Sequence, residues 1–140
     1  MIKTAGNYTL LYTAYDTLGN PIASTYSASF IVYVGDPYKL NFQAEVGTVY
    51  GGLQFRSFPI VAITDRGSNP ITSINSGTVS ATLSTRPNSA LYPAASKASL
   101  RPLNSTSVKI SNGLASFSQL YINESGYPYQ LTFFTSLVSI

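Results

Sequence analysis

Histidine and cysteine are both absent from this 140-residue chain. Their absence removes imidazole bases, thiolate nucleophiles, Ser–His and Cys–His pairs, disulfides and the commonest ligands of transition metals. Five carboxylates remain, on Asp16, Asp36, Glu45, Asp65 and Glu124. Carboxylates do acid–base chemistry when two converge over a cleft, and they hold calcium when several converge with other oxygens. Here Asp16 opens Asp16-Thr17-Leu18-Gly19-Asn20-Pro21-Ile22 and Asp65 opens Asp65-Arg66-Gly67-Ser68-Asn69-Pro70-Ile71. In each, the carboxylate is placed to accept turn amides, the glycine to take positive φ, and the proline to start the next extended segment. Asp36 precedes Pro37, and its convergence with Asp16 or Asp65 is the one calcium arrangement the spacing offers. Acids this sparse and this committed to turns predict no catalytic residue, no metal site and no cofactor.

The cations point nowhere in particular. Lys3, Lys39, Arg56, Arg66, Arg86, Lys97, Arg101 and Lys109 give a net charge of +3, but they are scattered singly. Nucleic-acid binding needs phosphate-neutralising groups gathered on one face, so no nucleic-acid partner is expected. No apolar run is long enough to span a bilayer, and no membrane insertion is expected. Met1 to Asn7 carries no apolar leader segment. Charged residues make up 9% of the chain, against about 25% in an average soluble protein. The polar surface is instead supplied by 20 Ser, 14 Thr and 9 Asn. Such a surface suits an extracellular or cell-surface module. Asn7, Asn104 and Asn123 each stand in an Asn-x-Ser/Thr sequon and are candidate glycan sites, although about two sequons are expected by chance from this composition.

Alternation with a period of two runs through the chain, and no sustained helical period appears. Tyr8, Leu10, Tyr12 and Ala14 share one face of an extended segment, as do Phe30, Val32 and Val34, with Ile31 and Tyr33 opposite. Further short runs contribute Leu40, Phe42, Val61, Ile63, Val79, Ala81, Leu83, Val108, Ile110, Phe117, Leu131 and Phe133 as inward positions. Each run is β-branched or aromatic and is bounded by turn residues, which predicts an all-β antiparallel sandwich. Thr85 to Thr106, with Pro87, Pro93 and Pro102, reads as a long polar connection carrying a short strand or one helical turn near 94–100.

Val61-Ala62-Ile63-Thr64-Asp65, Asn69-Pro70-Ile71 and Gly77-Thr78-Val79-Ser80-Ala81-Thr82-Leu83 resemble strands B and C of tandem immunoglobulin-like repeats of the invasin and filamin kinds. Asn112-Gly113-Leu114-Ala115-Ser116-Phe117, with Leu120-Tyr121-Ile122, is similar to their strand E. Gly126-x-x-Tyr129-x-Leu131 is similar to the approach to strand F, where a tyrosine hydroxyl ties the corner to nearby backbone. The chain departs from that pattern by one extra residue between Gly126 and Tyr129 and by the length of 85–106. Phe30 to Val34 followed by Gly35-Asp36-Pro37 resembles the junction between a last strand G and the next strand A. A second echo supports this junction: Gly6-x-Tyr8-x-Leu10 repeats as Gly126-x-x-Tyr129-x-Leu131 at a domain-sized spacing.

The resemblance implies an immunoglobulin-like sandwich over 36–140 without its own strand G, preceded by a strand–turn–strand extension over 1–35. It also implies that each part completes the other in a neighbouring unit, in a covalent array or a head-to-tail homopolymer. The residues expected at that interface are Tyr8, Leu10, Tyr12, Phe30, Val32 and Val34 on the donor and Leu131 and Phe133 on the acceptor. The competing expectation is an adhesin or carbohydrate-binding module using tyrosines beyond the needs of a core, namely Tyr26, Tyr38, Tyr50, Tyr92, Tyr121 and Tyr127. A cytosolic scaffold repeat ranks third.

Overall fold

The short apolar runs become strands in the computed structural model, which describes residues 1–85 and 90–137. In chain order they are β1 (Gly6–Tyr8), β2 (Leu11–Tyr15), β3 (Pro21–Tyr26), β4 (Phe30–Val32), β5 (Lys39–Ala44), β6 (Ile60–Thr64), β7 (Thr78–Thr85), β8 (Leu100–Arg101), β9 (Ser107–Lys109), β10 (Leu114–Ser116), β11 (Tyr121–Ile122) and β12 (Gln130–Thr135). The helical segments among the described residues are two short 3₁₀ turns, Pro93–Lys97 and Leu103–Ser105.

One sheet runs β10-β6-β5 and a second runs β12-β7-β9, all antiparallel. Register places Ala115, Val61 and Phe42 side by side in the first sheet. In the second it places Phe133 beside Ala81, and Thr135, Val79 and Val108 in one row. The inner faces meet in a single core of Val61, Ile63 and Ala115 against Val79 and Ala81, closed by Phe117, Leu120 and Ile122. Phe117 is fully buried and meets Phe133 edge-on at 5.2 Å. The fold is therefore an all-β antiparallel sandwich with an N-terminal β-hairpin. In that hairpin β1 pairs with β4 and β2 with β3.

The strand order accounts for most inward positions. Val61, Ile63, Val79, Ala81, Ile110 and Phe117 are buried, and Leu40, Leu83, Val108, Leu131 and Phe133 are half-buried against them. Phe42 is the exception, 49% exposed although its register faces the core. It sits on the outermost strand of its sheet, so nothing covers its far side.

Two local expectations are corrected and a third is extended. The connection from Thr85 to Thr106 carries both the helical turn and the short strand expected as alternatives near 94–100, and it also supplies Ala95, Ala98 and Leu100 to the interior, with β8 paired to β11. (Residues 86–89 of that connection lie outside the described residues.) In the Asp65 turn the positive φ belongs to Ser68, at 71°, and not to Gly67. The extended segment from Tyr8 to Ala14 is interrupted between β1 and β2, where the Leu10 amide donates to the Ser27 hydroxyl at 2.9 Å. Two residues on one side there oppose three on the other, and a one-residue excess breaks a ladder locally.

The buried ring of Phe117 fixes a measurable quantity. Phe117→Ala is expected to lower the unfolding free energy by about 3–5 kcal/mol, since a buried aromatic is exchanged for a cavity. Urea denaturation followed by tyrosine fluorescence measures it, and a loss below about 1 kcal/mol would contradict this packing.

Candidate functional site

β12 is hydrogen-bonded to β7 on one side, and among the described residues no strand pairs with its other side. β5 is likewise paired only with β6. The two open edges face each other across the end of the sandwich and leave a seam into the core. One section of it, about 670 Å³, is lined by Phe42, Val46, Val49, Phe55, Ile122, Tyr129, Leu131 and Phe133 with polar rim residues. A second section of about 230 Å³ lies between Leu40, Phe42, Val61, Leu131 and Phe133. Phe42 and Phe133 meet edge-on at 5.3 Å and 89° between the sections. The upper rim is fixed by Tyr129, whose hydroxyl donates to the Glu124 carbonyl at 3.1 Å. That is the corner contact expected of a tyrosine in this place.

The residues expected on the donor side lie on the N-terminal hairpin, most of them at its root. Residues two apart in a strand share a face, so Phe30 and Val32 project together, while Val34 lies beyond the end of β4. Tyr8 is paired across from Phe30, with ring centroids 6.2 Å apart. Ile31, paired with Asn7, projects to the opposite face. Leu10 lies at the break in the ladder, and Tyr12 lies in the outer half of the hairpin, paired with Thr25. The six donor positions therefore divide between two parts of one ribbon.

The root is held to the sandwich by the Asp65 turn. Asp65 is only 5% exposed, and a buried carboxylate must be fully hydrogen-bonded. Its Oδ1 accepts the Asn69 amide at 2.8 Å, and its Oδ2 accepts the Gly35 amide at 2.9 Å. Asn69 in turn grips the start of the hairpin: its Oδ1 accepts from the Ala5 amide at 2.9 Å and its Nδ2 donates to the Lys3 carbonyl at 2.8 Å. A side chain at position 67 would overlap the Lys3 carbonyl, so the docked backbone requires Gly67. One turn thus holds both ends of the hairpin. Reading the sequence assigned Asp65 to the turn but missed Asn69 as the joint. The available signal was the repeat of the turn itself, because Asp16 and Asn20 make the same contacts: Asn20 amide to Asp16 Oδ1 at 2.8 Å and Asp16 amide to Asn20 carbonyl at 2.9 Å. Gly19, at φ 84°, occupies the place of Ser68.

The remaining candidates are dispersed. Asn7 and Asn104 are exposed, while Asn123 is half-buried and its Oδ1 accepts from the Ser99 amide at 2.7 Å. Tyr26, Tyr50 and Tyr127 stand in solvent, and Arg66 stacks on the Tyr38 ring at 4.6 Å. Among the described residues no helix is long and apolar enough to cross a membrane, and no three acids gather as a metal site.

The Gly35 amide, followed by the Asn69 contacts, holds the Asp65 carboxyl below its ordinary 3.8, at about 2. The folded group is more acidic than the unfolded one, so its contribution is complete above about pH 4 and is lost as pH falls towards 2. The Gly35 amide proton is expected to titrate by NMR with a midpoint near about 2. A midpoint near the ordinary carboxylate value would show that this contact does not hold the root.

No protein-family model, curated protein or solved structure matches this chain.

Proposed function

We propose that this chain is a structural, self-associating module of the cell exterior, whose units join by strand complementation: the hairpin root of one unit fills the seam of the next. The observation that carries this reading is the open seam between β5 and β12, apolar inside and flanked by two strand edges that meet no further strand among the described residues. An exposed edge with an apolar groove beside it is a template for another strand. The root supplies a strand of fitting size and pattern. β4 itself is Phe30–Val32, and extended through Val34 on insertion it would span about 17 Å against about 20 Å for β12, at roughly 3.3 Å per residue. Phe30 and Val32 present their apolar row while pairing on one side only, with β1.

An inserted strand antiparallel to β12 would bring Val34 to the Gln130 end and Phe30 to the Thr135 end. Gly35 to Pro37 then leads straight out to the donor's own sandwich, where Asp65 and Asn69 hold the root. A joint of that kind repeats without closing, and a repeated heterologous contact makes a filament or a linear array. The sparse charge and abundant Ser, Thr and Asn suit such an assembly outside the cell, with Asn7 and Asn104 as the exposed glycan candidates.

Val32→Asp places a charge on the inserting row without touching the donor's own core. Negative-stain microscopy is expected to find filaments for the unaltered chain and only dispersed particles for Val32→Asp, with unchanged circular dichroism. Filaments of equal length in both samples would refute strand complementation.

A further inference from the structure

The hairpin is too long for the seam it would fill. Residues 21–34 of its return side span about 46 Å at roughly 3.3 Å per residue, whereas β12 offers about 20 Å. The ladder is also divided: β1 pairs with β4 and β2 with β3 in separate two-stranded sheets, with the irregularity at 9–10 and 27–29 between them. Each half has its own apolar face. The outer half carries the apolar residues Leu11, Tyr15, Ile22 and Tyr26: Leu11 pairs with Tyr26 next to the hydrogen-bonded Thr13–Ser24 pair, and beyond it a register shift sets Tyr15 opposite Pro21 and leaves Ile22 as the extra residue. All four are more than half exposed. A two-stranded ribbon with nothing against it is marginally stable in water.

We infer that the hairpin bridges two joints, its root filling one neighbour's seam and its outer half, through Leu11, Tyr15, Ile22 and Tyr26, covering that same neighbour's own hairpin root. This rests on the strand-complementation reading and specifies where the surplus length goes. With the inserted strand antiparallel to β12, the outer half emerges beyond Thr135 and Lys39. Lys39 is paired with Thr64, one residue before Asp65, so this is the end from which the acceptor's own hairpin departs. The acceptor's root presents a second apolar face there, opposite the row of Phe30 and Val32. It consists of Ile31 and Tyr33, both more than half exposed. The occupant of the Leu11–Tyr26 face is therefore the Ile31–Tyr33 face of the adjacent copy. Every sandwich joint in the array would be splinted by the hairpin of the unit beyond it.

Benzophenone photoprobes placed singly at Phe30 and Tyr26, in filaments grown from equal parts of ordinary and ¹⁵N-labelled chain, test the two claims separately. Links between chains of different isotope content identify intermolecular contacts by mass spectrometry. The Phe30 probe is expected to link to β5 or β12 of another chain, and the Tyr26 probe to residues 31–38 of another chain. A Phe30 link to β5 or β12 combined with a Tyr26 link elsewhere, or with none, overturns the splint and leaves strand complementation standing. Absence of the Phe30 link overturns both.

Discussion

Two strand edges left open among the described residues, those of β5 and β12, shape the rest of this molecule. Leu131 and Phe133 face the core from β12, and no strand among the described residues covers their flank. The consequences are local and legible. Phe42 is half exposed on a core-facing register, the seam between β5 and β12 stays open, and each of those strands has a strand neighbour on one side only among the described residues. Burying such surface contributes roughly 25 cal/mol per Å², which is the gain the proposed strand complementation would draw on.

The hairpin is the opposite case, a pair of apolar faces without a core. What joins the two halves of the molecule is polar and small. Asp65 and Asn69 satisfy their own turn and, with the same two side chains, accept the Gly35 and Ala5 amides and donate to the Lys3 carbonyl. A buried carboxylate and amide used this way fix direction as well as position, because hydrogen bonds to backbone at both ends of the hairpin leave it little freedom to swing. Rigidity at this joint is what a linear assembly needs if successive sandwiches are to follow one axis.

Much of this was legible from residue patterns. Two-residue alternation located the strands because each sandwich face demands it, and Phe117, Val61, Ile63 and Val79 are buried where that alternation placed them. The repeated Asp-x-x-x-Asn-Pro segment located two turns of one geometry. Other features were not legible for physical reasons. Ala95, Ala98 and Leu100 enter the core from a connection without periodicity, since single buried residues in and just after a short 3₁₀ turn leave no pattern. The break between β1 and β2 depends on a mismatch across strands, which neither strand reveals alone. Asn69 as a joint is a matter of which distant amides happen to reach it.

The most direct test uses the absence of cysteine, which lets introduced thiols report without background. In a Val32→Cys, Leu131→Cys double variant, the two thiols lie on the hairpin root and on the open edge of the seam. Treatment with a short bis-maleimide followed by denaturing electrophoresis reads their proximity between chains. Strand complementation predicts a ladder at successive multiples of the chain mass, absent from either single variant. A product confined to the single-chain position, at concentrations where the unaltered protein is assembled, would contradict it.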